Sequence, residues 1–166
     1  MKRQYERINH ALATIYMHKS REVDVDNDRL MDSMKYDGIK PNPSDLRRTI
    51  MAMQIHGLIQ IINDQVYLTM RGLSWLNDKT KTLQETLYHW LIIYHNATRK
   101  DTHNFFESLV RKAIAPYTDS TTEAARVMEM EDMCTLMLKR LKHLAVIDYA
   151  CDRVWIIYKD PKIFKT

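Results

Sequence analysis

SDLRRTIMAMQIHGLIQIINDQVYLTMRG, residues 44–72, contains the change of period that decides the fold. Leu46, Ile50 and Met53 recur at i, i+4 and i+7, the spacing of one buried helical stripe. Pro41 and Pro43 precede them and cannot continue an earlier helix, so a helix is predicted from Ser44, with the Ser44 hydroxyl as cap. Gly57 supplies the left-handed stop. Two strands then follow, LIQII (58–62) and QVYLT (65–69), joined by Asn63 and Asp64, residue types that tolerate the positive φ of a tight hairpin turn. Thr69 is placed to cap a short helix carrying Leu73, Trp75 and Leu76.

Upstream, Tyr5, Ile8, Leu12, Ile15 and Tyr16 form the apolar face of a first helix. REVDVD (21–26) alternates valines with charges and predicts a short, half-exposed strand. NDRLMDSMKYDG (27–38) reads as a second helix, with Asn27 as its cap, Leu30, Met31 and Met34 inward, and Gly38 as its stop.

Helix, short strand, helix, turn, helix, hairpin is the order of a winged helix-turn-helix domain, and residues 4–77 resemble that family. Three local features carry the resemblance: a capped third helix with paired arginines, a GLI leading into the first hairpin strand, and LTMRG leaving the second. The resemblance implies that the first turns of the third helix enter the major groove of duplex DNA while the hairpin reaches a flanking backbone. On that basis the expected DNA-binding residues are Lys40, Asn42, Ser44, Arg47, Arg48, Met51 and Arg71, with Lys35 as a further phosphate contact. An arginine either takes the O6/N7 edge of guanine with two hydrogen bonds or clamps a phosphate. The competing reading of Arg47 and Arg48 is a solvated helix face, paired with Asp45 or Asp37.

A second cycle follows the polar NDKTKT. Thr82 and Glu85 have capping-box spacing ahead of a helix with Leu83, Leu87, Trp90, Leu91 and Tyr94 on one face. Residues 102–115 form another helix, with Phe105, Phe106, Leu109, Val110 and Ala113 inward, and APYTDSTT ends it. A shift of 88 residues lays IQIINDQVYL (59–68) over IDYACDRVWI (147–156), Ile50 over Leu138 and Met53 over Leu141. The expected fold is therefore mainly α with small β-hairpins (α+β), as tandem winged helix-turn-helix domains: 1–77, a linker at 78–82, and 83–166. In the second copy MEMEDMCT brings Glu129, Glu131 and Asp132 to the turn where the first has arginines, which suits dimerisation or partner docking and repels phosphate.

Composition narrows the classes. The 166 residues are 45% hydrophobic and 28% charged, with no apolar run near the roughly 20 residues of a membrane span, so no membrane partner is expected. The opening MKRQYERINH lacks the apolar stretch of a signal peptide, which gives a cytoplasmic expectation. Net charge is +4 and the pI about 9.0, permissive for an anionic partner without requiring one, and the second helix is itself acidic. The seven histidines show no paired ligand spacing, and Cys134 and Cys151 make no metal motif. Three glycines leave no phosphate-cradling loop, and no catalytic triad spacing stands out; neither cofactor nor enzymatic activity is expected. The leading expectation is a double-stranded DNA-binding protein, a transcriptional regulator or a plasmid or phage replication initiator, acting as a homodimer or with a protein partner. The alternative is a tandem winged-helix protein-interaction scaffold without nucleic acid contact.

Overall fold

The computed structural model describes residues 2–34, 42–79, 81–94, 96–114, 120–159 and 162. They form seven helices and five short strands, a mainly α chain with two small antiparallel sheets. Two compact units emerge, Met1–Thr80 with Arg111–Pro116, and Lys81–Val110 with Tyr117–Thr166.

In the first unit α1 (Lys2–Ser20) buries Ile8, Ala11, Leu12, Ile15 and Tyr16. Tyr5, expected on that face, is instead about half exposed and stacks on Trp75, ring centroids 5.9 Å apart. The predicted strand at 21–26 does not form. Val25 is fully buried and its carbonyl accepts one bond from the Val66 amide at 2.8 Å, but Asp26 then turns the chain into the next helix before a ladder can develop. That helix, α2 (Asn27–Ser33), is capped by Asp26, whose carboxylate accepts from the Arg29 amide, so the cap lies one residue before the expected Asn27. Leu30 and Met34 are buried, and the expected stop at Gly38 lies outside the described residues.

Helix α3 (Pro43–Ile55) starts on proline, not serine. Pro43 has no amide hydrogen to satisfy and a φ already suited to the first helical position, so the cap moves back to Asn42, whose Oδ1 accepts from the Asp45 amide at 2.8 Å. Leu46, Thr49, Ile50 and Met53 make the buried stripe. Gly57, at φ +69°, ends the helix. Strands β1 (Ile59–Ile62) and β2 (Gln65–Leu68) pair Ile59 with Leu68 and Ile61 with Val66. Asn63 and Asp64 turn between them at φ 50° and 64°, the doubly positive turn whose twist matches paired strands. The Thr69 hydroxyl accepts from the Gly72 amide at 3.0 Å, opening α4 (Met70–Lys79), and donates to the Gly57 carbonyl at 2.6 Å. One side chain thus ties the end of α3 to the end of the hairpin.

The second unit contains α5 (Thr82–Ile93), β3 (Ala97–Thr98), α6 (Arg99–Ala113) up to Val110, α7 (Ser120–His143), β4 (Ile147–Ala150) and β5 (Arg153–Ile156). The expected capping box is absent: Lys81 holds the cap position of α5 with no side-chain cap bond, and Thr82 is already helical. Leu83, Leu87 and Leu91 are buried as expected, joined by Tyr88, whose hydroxyl donates to the Tyr158 carbonyl at 3.0 Å. Tyr94, assigned inward from its spacing, is exposed and stacks on Trp90, which in turn stacks on Phe105 with centroids 4.6 Å apart. Strand β3 joins β4 and β5 in the order β3-β5-β4.

Backbone bonds repeat at the 88-residue shift. Leu58 donates to Met53 and Val146 to Leu141; Gly57 donates to Gln54 and Ala145 to Lys142; Thr69 donates to Leu58 and Ile157 to Val146. Positive φ recurs too, at Gly57 and Ala145 and at Asn63 and Cys151. Val66 bonds Val25, and Val154, its counterpart, pairs with Ala97 of β3. The segment around Val25 therefore occupies the place of β3 with one bond instead of a ladder.

Candidate nucleic-acid interface

The outer face of α3 follows from its buried one. At about 100° per residue, Ser44, Arg47, Arg48, Met51 and Ile55 share an arc of about 100° opposite Leu46, Thr49 and Met53. All five are exposed, Met51 at 55% and Ile55 at 76%. Met51 and Ile55 thus stand beside the arginines on the outward face of the helix.

Neither arginine has a hydrogen bond or ion pair to another described residue. The nearest carboxylate along the helix, Asp45, is engaged elsewhere: Arg7 lies 3.5 Å from Oδ2, and the Asn42 side-chain amide donates to the same oxygen at 3.0 Å. Asn42, also exposed, is engaged as the helix cap through its carbonyl and donates one amide bond to Asp45. The two arginines differ. Arg47 lines an open groove of about 420 Å³ with Asn27, Asp28 and Met31 of α2 and with Pro43, Leu46 and Ile50. Arg48 is not among the residues that line it.

The remaining expected residues divide. Arg71 is exposed, but its side chain runs against Gly57, the far end of α3. Nine residues separate Gly57 from Arg48, which at 1.5 Å each is about 14 Å along the helix, so Arg71 does not join the arginine pair. Lys40, and with it Lys35 and Asp37, lies outside the described residues. Ile55 is the face residue that sequence reasoning passed over; its spacing from Ser44, Arg48 and Met51 was the available signal.

The surroundings carry charge of both signs. Asp26, Asp28 and Asp64 line a pocket of about 270 Å³ with Asn27 and Ile61, so the side of the unit between α2 and the hairpin turn is acidic. Against the hairpin, Lys19 of α1 sits 4.1 Å from the Tyr67 ring centroid and donates to Gln65 Oε1 at 3.3 Å. Burial lowers the Lys19 pKa, with Asp24 pulling the other way, so this ammonium serves the packing of α1 on β2. Among the described residues no group of three or more histidine, cysteine or carboxylate side chains is arranged to hold a metal ion. No helix among them is long and apolar enough to cross a membrane.

In the second unit the repeat places Thr135 and Leu136 at the positions of Arg47 and Arg48, and Lys139 and His143 at those of Met51 and Ile55. Glu131 and Asp132 fall at the positions of Pro43 and Ser44, one turn earlier than the arginines. Helix α7 runs 24 residues against 13 for α3, the excess lying on its N-terminal side.

Comparison with protein-family profiles, with curated proteins and with solved structures gives no significant match for this chain.

Proposed function

We propose that this chain binds double-stranded DNA through the outer face of α3, as a tandem winged helix-turn-helix protein whose second unit serves dimerisation or partner docking. The repeated order of helix, extended segment, two helices and hairpin, with backbone bonds matching at one shift, supports the tandem reading. The observation that carries the DNA reading is the state of Arg47 and Arg48: both exposed, with the adjacent Asp45 held by Arg7. Two guanidinium groups on the exposed face of the leading turns of a helix suit phosphates and guanine edges. A role as transcriptional regulator or replication initiator fits such a module.

Fluorescence anisotropy of the chain with random duplex DNA across a salt series tests the proposal. Phosphate-driven binding weakens steeply as salt rises, and replacing both arginines with alanine removes it. Absence of low-salt association at micromolar protein would overturn it.

The protein-interaction scaffold remains the second reading, favoured by the exposure of Met51 and Ile55 and by the acidic pocket of Asp26, Asp28 and Asp64. Under that reading Met51→Lys with Ile55→Lys abolishes partner capture, whereas under the DNA reading added lysines strengthen nonspecific DNA association.

A further inference from the structure

The outward seam of α7 has a charge order of its own. Ala125, Glu129, Asp132, Leu136, Lys139 and His143 are all exposed and follow one another at steps of four, three, four, three and four residues, the spacing of a helix-pairing seam. The first half is acidic, the centre is Leu136 at 40% exposure, and the second half is basic. None of Glu129, Asp132 and Lys139 has an ion pair with another described residue. The basic end borders an open, mostly apolar groove of about 340 Å³ lined, among the described residues, by Lys81, Gln84, Lys139, Arg140, His143 and Leu144, with no carboxylate among them. The acidic half presents Met128, at 66% exposure, beside Glu129.

We infer that α7 pairs antiparallel with α7 of a second copy of this chain, on a two-fold axis at Leu136. With Leu136 meeting its own counterpart, Asp132 faces Lys139 of the second copy, Glu129 faces His143, and Met128 faces Leu144 at the groove. Each contact occurs twice, as an isologous two-fold interface requires. A parallel pairing would set acid on acid and base on base, and like charges in register disfavour it. The charge order therefore selects both the partner and its direction. The apolar lining of the groove and the exposed Met128 supply what the charges alone lack, a desolvated anchor at each end of the seam. This deepens the dimerisation part of the proposed function, names its surface, and does not depend on DNA.

Sedimentation velocity of the full chain without DNA tests it, in the wild type and in two charge-reversed variants, E129K/D132K and K139E/H143E. All four positions are exposed, so the fold is kept. The wild type is expected to sediment as a dimer at about 100 µM, and each variant alone as a monomer, weakened at least about 100-fold by like charges in register. An equal mixture of the two variants restores a dimer, because one seam is then basic throughout and the other acidic throughout. Leu136→Glu, which leaves the flanking charges in place, is likewise expected to be monomeric. A wild-type monomer would overturn the inference and give the groove to an acidic partner of another kind. Variants that dimerise as the wild type does, or a mixture that stays monomeric, would also overturn it. Loss of DNA binding with the dimer intact would strike only the reading of α3.

Discussion

Arg7 lies 3.5 Å from the carboxylate of Asp45, a pair that joins the first turns of α1 to the first turn of α3. The consequence is electrostatic separation: Asp45 is balanced by Arg7, and Arg48, one turn on, has no ion pair with another described residue. Replacing Arg48 with alanine is therefore expected to weaken DNA binding more than replacing Arg47, which lines the groove with Asp28 and works against a nearby acid. Each lost phosphate contact lowers the slope of log affinity against log salt by about 0.9. Thermal unfolding of both variants should stay within about 0.5 kcal/mol of the wild type, as for exposed helix positions without partners. Anisotropy titrations at three salt concentrations measure the slope, and equal slopes for wild type and the double variant would remove the site.

Gly72 tests the tie between the end of α3 and the start of α4. A Cβ at that position would overlap the carbonyl of Leu58, which is backbone and cannot swing aside. Leu58 is fully buried, and its carbonyl accepts the Thr69 amide in the first unit's helix-to-hairpin joint. Gly72→Ala should therefore cost about 3 kcal/mol or more in denaturant unfolding, at the upper end of overpacking effects. At Gly57 the same change meets open space apart from the Arg71 side chain and suffers only the left-handed backbone penalty, about 1–2 kcal/mol. A reversed ranking of the two variants would contradict the packing described.

The parts of the fold that were legible in the sequence were those written in local periods. Leu46, Ile50 and Met53 are a stripe whatever they pack on, and Asn63 with Asp64 turn a hairpin through their own backbone preference. Strand β3 is two residues long, too short to show a period, and only its pairing with β5 makes it a strand. Val25 misled in the opposite direction, since alternation with Asp24 and Asp26 looks like a strand even where a single bond to Val66 is all that forms. Caps were misplaced where asparagine, proline or threonine was itself the first helical residue. On α3 the exposed arginine pair was readable, but its release from Asp45 was not, because Arg7 is remote in sequence and comes near only through packing.

The two thiols should separate cleanly in a labelling experiment. Cys134 is fully buried, and burial pushes its pKa up to about 12 against a smaller opposite pull from Arg99. Cys151, at the turn of the second hairpin, is exposed. A thiol reagent at pH 8 is expected to modify one group per folded chain and two per unfolded chain, since only the thiolate reacts. The same shift makes stability fall at high pH. Below the unfolded thiol value of about 8.5 both states keep the proton; above it the unfolded chain ionises while Cys134 does not, so stability is lost as pH climbs toward about 12. Cys134→Ala should lower that alkaline slope, read from unfolding midpoints at pH 8 and pH 10.

Acidification should act through the histidines in the opposite direction. His18 has its pKa lowered first by burial and then by Arg29 and Arg21, and its Nε2 lies 2.8 Å from the Ser33 hydroxyl, joining α1 to α2. Burial also lowers His10, and lowers His103 with help from Arg99 against Glu131. The unfolded chain takes up protons near pH 6.5 while these rings stay neutral in the folded one. Stability is therefore fully present above pH 6.5 and is lost as pH falls toward the lower folded values. Carboxylates add their own acid dependence, but a comparison of the wild type with His18→Gln subtracts it. Glutamine keeps a partner for Ser33 and removes the titrating ring, so the variant should lose less stability than the wild type between pH 7.5 and pH 5.5. Equal losses would show that His18 exchanges its proton as readily in the folded chain as in water, against the burial seen at the junction of α1 and α2.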